Sequence, residues 1–187
     1  MGNPWKKAAS VADLGQLTAD WLEGRIPTIP GCVGEEGPDE ETQHLVPVLA
    51  AVNRAGYVTT CSQPGHPPVR GYDGRMWQQR AAVEGWVADH RLLDRLRVGA
   101  KRAGIEVIAH RPGGRWHDGI PVTEADREPY TWFARTERYR RQIAYEWRGV
   151  GGRAVREVRR STYLTLVDPV WGRDDRLWPV LAQAVRG

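Results

Sequence analysis

The stretch Glu41-Thr-Gln-His-Leu-Val-Pro-Val-Leu-Ala-Ala-Val-Asn-Arg-Ala-Gly-Tyr-Val-Thr-Thr-Cys-Ser-Gln-Pro64 decides how this chain is read. Leu45, Val48, Leu49 and Val52 fall at helical spacing, and Pro47 stands where a first turn tolerates it. Gly56 stops the helix, and Tyr57–Ser62 has the composition of a strand. The end of that strand sends the hydroxyls of Thr59, Thr60 and Ser62 and the amide of Gln63 into a loop. Polar side chains gathered at a strand end, facing the start of the preceding helix, are a common way to build a small-molecule site.

Outward from this segment the pattern alternates. Ser10-Val-Ala-Asp13 forms a capping box before Leu14, Leu17, Trp21 and Leu22, which keep helical spacing up to Gly24. Ile26–Pro38 and Gln63–Gly74 are rich in proline and glycine and are expected to be loops. Met76–Val87 allows helix or strand on periodicity alone. Asp89 is placed to cap a helix running to Arg102, with Gly104 closing it. Strands are expected at Ile105–His110, Tyr130–Ala134 and Tyr163–Val167, with a loop at Arg111–Gly119. Arg138–Trp147 carries no decisive pattern, and Gly149–Gly152 has the look of a hinge or hairpin. Asp174 or Asp175 is expected to open a last helix around Leu177, Trp178, Val180 and Leu181. Helices and strands interleaved with long loops indicate an α+β or α/β domain. The length of 187 residues fits a single domain, with helix 1–25 ahead of a main body over 26–187.

Composition narrows the class. An apolar fraction of 41 % fills a sizeable core, and nine tryptophans against one phenylalanine make indoles its main aromatic content. The 27 basic residues are 3 lysines and 24 arginines, a skew expected of a GC-rich genome. Of the net charge of +4, the segment 135–160 holds nine arginines against three glutamates, leaving the remainder of the chain slightly acidic. Such a patch attracts phosphates or is a solvated face of paired charges. Cys32 and Cys61 lack metal-ligand spacing and are expected to be thiols in a reducing compartment. With no signal-peptide pattern and no apolar run near the roughly 20 residues that cross a bilayer, the expectation is a cytoplasmic protein with no membrane partner.

Four segments in order resemble a known family, the S-adenosylmethionine-binding regulatory domain of eukaryotic methylenetetrahydrofolate reductase. Ser10–Gly24 resembles the helix that enters that domain. Glu41–Pro64 is similar, without a gap, to its Glu-Thr, helix, Val-Asn-Arg-x-Gly, strand, Ser-Gln-Pro segment. Gln79–Trp86 resembles the following Gln-Lys-Ala-x-x-Glu-x-aromatic stretch, and Leu166-Val-Asp168 with Leu177-Trp178 its closing strand and helix. The resemblance implies an α+β fold with two mixed β-sheets and surrounding helices, and it turns Met76–Val87 toward a strand running into the helix at Asp89. It does not bring the reductase activity or flavin, because a (β/α)8 barrel of roughly 250 residues cannot fit here.

By position, the family's ligand contacts fall on Glu41, Thr42, Thr59, Ser62 and Gln63, with Thr131 resembling a further contact threonine. The implied ligand is S-adenosylmethionine or S-adenosylhomocysteine, and the implied role is sensing or regulation, with a protein target or a second copy as partner. Glu41 would meet the ligand ammonium, and the hydroxyls its carboxylate, ribose or adenine. Each residue also has an ordinary use: Glu41 or Thr42 as a helix cap, Thr59 as a strand threonine, Ser62-Gln63-Pro64 as a turn. The chain departs from the family at Ala144 and Gly34, where a threonine and an asparagine are expected, so a related adenosyl or phosphate-bearing ligand stays open. Two other readings are an enzyme using Glu41 as acid/base, and a nucleic-acid binder using Arg138–Arg160 with Tyr139, Tyr145 and Trp147 as stacking surfaces. Trp116-His117-Asp118 is a weaker metal or acid/base element, with no second ligand cluster to complete it, so no metal is expected.

Overall fold

The computed structural model describes residues 3–31, 37–114, 117–135 and 140–186. Cys32, Gly34, Trp116, Arg138 and Tyr139 lie outside the described residues, as do the side chains of Arg140 and Arg141. Ser10 opens helix α1 (Val11–Leu22) as expected: its hydroxyl accepts the Asp13 N–H, and the Asp13 carboxylate accepts those of Ala9 and Ser10. The expected helix at Leu45 is preceded by a 3₁₀ helix, Glu40–Leu45, which runs into α2 (Val46–Arg54). No side chain caps α2, so neither Glu41 nor Thr42 has the capping role; Pro47 lies in the first turn, where its missing N–H costs nothing. Gly56, at φ 102°, then turns the chain back into strand β1 (Tyr57–Gln63).

Beyond β1 the chain forms β2 (His66–Arg70), β3 (Met76–Gln79) and β4 (Ala82–Val87), then α3 (His90–Arg102) and β5 (Glu106–His110). It continues through β6 (Ile120–Ala125), β7 (Glu128–Phe133), α4 (Arg140–Glu146), α5 (Gly152–Val158), β8 (Thr162–Val167) and α6 (Leu177–Ala184). The strands make two four-stranded sheets, in the orders β1-β4-β8-β5 and β2-β3-β6-β7. The fold class is α+β. The sheets are not mixed, however: every pairing among the described residues is antiparallel.

Several expectations are corrected. Gln63–Gly74 is not one loop but contains β2, the outer strand of the second sheet, exposed at all five positions and carrying Pro67 and Pro68. Met76–Val87 is two strands in different sheets. The switch falls at Arg80 and Ala81, where the Arg80 N–H donates to Val122 O and Ala81 O accepts the Asp168 N–H. Gly149–Gly152 leads into α5 rather than a hairpin. Neither Asp174 nor Asp175 caps α6, which has Arg176 at its cap with no side-chain bond. Asp174 instead accepts the Gly65 N–H (2.7 Å) and the Trp178 indole N–H (2.7 Å) and meets His44 at 3.0 Å. It thereby ties the 3₁₀ helix, the β1–β2 connection and α6 to one another.

The first sheet is packed on both faces. Tyr57, Val83, Leu164 and Leu166 meet α2, α3 and α6 on one side. Val58, Trp86 and Tyr163 meet Trp5, Leu14, Ile143 and Trp147 on the other. Indoles dominate the second cluster, and Trp86 contacts Tyr163 edge to face at 4.7 Å. Trp147, 7 % exposed, is therefore core and not a stacking surface, while Tyr145 is exposed. Burial, with the charge of Glu84 added, pushes the Tyr57 phenol well above its ordinary pKa; its hydroxyl donates to Leu164 O. Among the described residues no helix is long and apolar enough to cross a membrane.

Asp89 caps α3 by accepting the Leu92 N–H at 2.9 Å, and that bond holds its carboxyl below the ordinary 3.8. A depressed folded-state pKa stabilises above the unfolded value and is lost as the pH falls through the folded one. Asp89→Ala is therefore expected to cost about 1 kcal/mol. In urea denaturation, the gap from wild type should hold from neutral pH down to about 5 and narrow below 3.8.

Candidate functional site

The C-terminal half of β1 forms one wall of a cavity of about 200 Å3. Thr18, Trp21 and Leu22 of α1 close a second side, and Asp39 and Thr42 of the 3₁₀ segment a third. Three of the six residues singled out from the sequence, Thr42, Thr59 and Ser62, meet here. Their hydroxyls are not equivalent. Thr42 is 5 % exposed, and its hydroxyl donates to Asp39 O at 2.8 Å, which leaves it as an acceptor toward the cavity. The Thr59 hydroxyl accepts from the Asn53 side-chain amide at 2.8 Å, which frees its proton to donate. The hydroxyl of half-buried Ser62 makes no hydrogen bond among the described residues and can do either.

A register shift between Thr59 and Cys61 sets this arrangement. The bulge leaves Thr60 facing the other side of the sheet, where its hydroxyl meets the Tyr163 hydroxyl at 2.8 Å. Asn53 fixes the position of Thr59 from below. It is fully buried, its Oδ1 accepts the Thr59 N–H at 3.0 Å, and its Nδ2 donates to Leu49 O and to the Thr59 hydroxyl, both at 2.8 Å. Helix α2 and strand β1 are thus joined at the cavity floor by one side chain.

The other three residues are elsewhere. Glu41 is exposed and lines a separate cavity of about 170 Å3 with His66, Trp77, Gln79 and Thr123. Thr131 lies on β7 opposite Thr123, and its hydroxyl is buried with no hydrogen-bond partner among the described residues. Gln63 stands between the groups with both amide protons used: Nε2 donates to Arg80 O and Val122 O, and Oε1 accepts from the Thr123 hydroxyl at 3.2 Å. It links the two sheets. Thr131 and Gln63 line neither cavity; the other four candidates divide between these two small cavities, Thr42 with Thr59 and Ser62 in one, Glu41 in the other. Each is smaller than the ~300 Å3 at which small-molecule pockets begin, and together they exceed it.

Trp21 and Asp39 were not singled out as site residues from the sequence, and Thr60, read there as one of the strand-end hydroxyls, turns its hydroxyl to Tyr163 instead. Trp21 keeps the helical spacing of the α1 core stripe, and only the structure shows its half-buried indole on the cavity wall. A larger groove of about 600 Å3 runs between α3 and α6 along Val98, Gly99 and Val180, and none of the candidate residues line it. His117 accepts the Gly119 N–H within its own turn. Among the described residues no three His, Cys, Asp or Glu side chains form a cluster that could hold a metal ion.

No curated protein matches the chain. A family model described as a domain of unknown function, DUF6919, matches residues 1–187, and the chain belongs to that family.

Proposed function

We propose that the chain is a sensor or regulatory protein that binds a small adenosyl ligand, S-adenosylmethionine, S-adenosylhomocysteine or a close relative. The observation that carries this reading is the convergence of Thr42, Thr59 and Ser62 on one cavity, with hydroxyls that offer an acceptor, a donor and a group able to do either. Ribose hydroxyls, which both donate and accept, suit that mixture, and the indole of Trp21 supplies a flat apolar surface for a base. The cavity beside Glu41 adds a carboxylate suited to an ammonium or sulfonium end. An elongated ligand with a polar group at each end fits two small compartments better than one compact pocket.

Calorimetric titration with S-adenosylmethionine and S-adenosylhomocysteine tests the proposal. Saturable heat and a rise in melting temperature with ligand concentration are expected. Ser62→Ala and Thr59→Val should each weaken binding about fivefold, the worth of one neutral hydrogen bond. Absence of heat and of any thermal shift at about 1 mM of either ligand would overturn it.

A further inference from the structure

At the other end of the first sheet lies a cavity of about 160 Å3. Its floor is Val87 and Thr162, the last registered pair of β4 and β8, whereas Ser62 and Gln63 pair with Val83 and Ala82 at the opposite end of β4. Four elements converge on it: His90 opens α3, Arg111 follows β5, Arg160 and Ser161 follow α5, and Thr162 begins β8. Neither Arg111 nor Arg160 makes an ion pair or side-chain hydrogen bond among the described residues. Arg25, Arg54, Arg75 and Arg173, by contrast, each meet a carboxylate. Glu157 also lines the cavity, but one of its oxygens is taken by the Val11 N–H at 2.8 Å, a contact that fastens α5 to the start of α1.

We propose that this cavity is a second binding site, for the phosphoryl group of a small ligand, held between Arg111 and Arg160. Two guanidinium forks facing one concavity suit a tetrahedral oxyanion, which accepts several hydrogen bonds at once. The first turn of α3, a 13-residue helix, adds the positive end of its dipole beside His90. The Thr162 hydroxyl makes no hydrogen bond among the described residues and is a further donor on the floor. The space, about 160 Å3, is enough for one phosphoryl group. The same chemistry is offered by free inorganic phosphate and by a phosphate monoester.

Calorimetry on the full chain with inorganic phosphate and with glycerol phosphate, at ionic strength held constant by chloride, tests this. Saturable one-to-one binding of either probe is expected. Binding of the ester alone would identify a phosphate monoester as the source of the group. Arg111→Ala and Arg160→Ala should each weaken binding by about tenfold or more, and Arg160→Lys by less, since charge is kept and the fork is lost. Both side chains are exposed, so unliganded melting temperatures should match wild type. Ser62→Ala, in the other cavity, should leave phosphate binding unchanged. The proposal is overturned if wild type shows no saturable heat up to about 10 mM of either probe. It is equally overturned if the folded alanine variants bind as wild type does.

Discussion

Gly15→Ala is expected to lower stability by about 3 kcal/mol, near the upper end of ordinary overpacking costs. A Cβ built at Gly15 would stand 2.0 Å from the carbonyl oxygen of Asn53 and 3.0 Å from its carbonyl carbon. Both are backbone atoms, so no side-chain rotation relieves the clash, and α1 must move away from α2. That separation would also open the wall of the hydroxyl cavity, because Thr18 and Trp21 follow on the same helix. For a chain of this size the loss corresponds to a fall in melting temperature of roughly 6–12 °C. Gly99→Ala is the matched control: its Cβ would come 3.3 Å from a Val180 methyl, a side-chain atom that can yield, and alanine is the better helix former. Thermal denaturation should show Gly15→Ala strongly destabilised and Gly99→Ala neutral or slightly stabilised. Equal melting temperatures for the two would mean that α1 and α2 do not meet at this distance.

Asn53→Ala is the second large effect, at roughly 3 kcal/mol in chemical denaturation. Three hydrogen bonds are lost, and the buried Thr59 N–H and Leu49 carbonyl lose the partner Asn53 gives them. Asn53→Asp should be as damaging at neutral pH, because a carboxylate can accept from Thr59 N–H but cannot donate to Leu49 O. Burial would raise the pKa of that carboxyl, so the Asp variant should recover stability as the pH falls, while the Ala variant should not. Both changes release the Thr59 hydroxyl from its fixed donor, and adenosyl-ligand affinity should fall with stability. An Asn53→Ala protein with wild-type stability would remove the case for this side chain as the joint between α2 and β1.

The parts of the fold legible in the sequence are those set by local chemistry. The Ser10–Asp13 box, the Gly56 stop, the Asp89 cap and the apolar strand at 163–167 each depend on residues within a few positions of one another. The missed elements depend on distant partners. Strand β2 has no buried face, so it shows no alternation, and its prolines look like loop residues. Met76–Val87 carries one continuous strand composition across a change of sheet that is made by Val122 and Asp168 from far along the chain.

The candidate site follows the same division. Thr59 and Ser62 on a strand end beside Thr42 were legible because the turn at Gly56 folds β1 back along its own helix. The separation of Glu41 from Thr42 was not, because a 3₁₀ helix turns about 120° per residue and sends neighbours in different directions. The bulge at Thr60 likewise resets which side chains share a face, and a bulge leaves no composition signal in Thr-Thr-Cys-Ser.

The paired prolines of β2 bear on how the protein behaves when crowded. An outer strand with an exposed Val69 would ordinarily offer a template on which another chain could extend the sheet. Consecutive residues of a strand point their N–H groups to opposite sides, so Pro67 and Pro68 together delete a donor toward β3 and one toward solvent. The inner deletion accompanies the irregular register between His66 and Val69. The outer one breaks the row of donors that an incoming strand would need. This edge is thereby a poorer template for an incoming strand, through covalent structure rather than through charge.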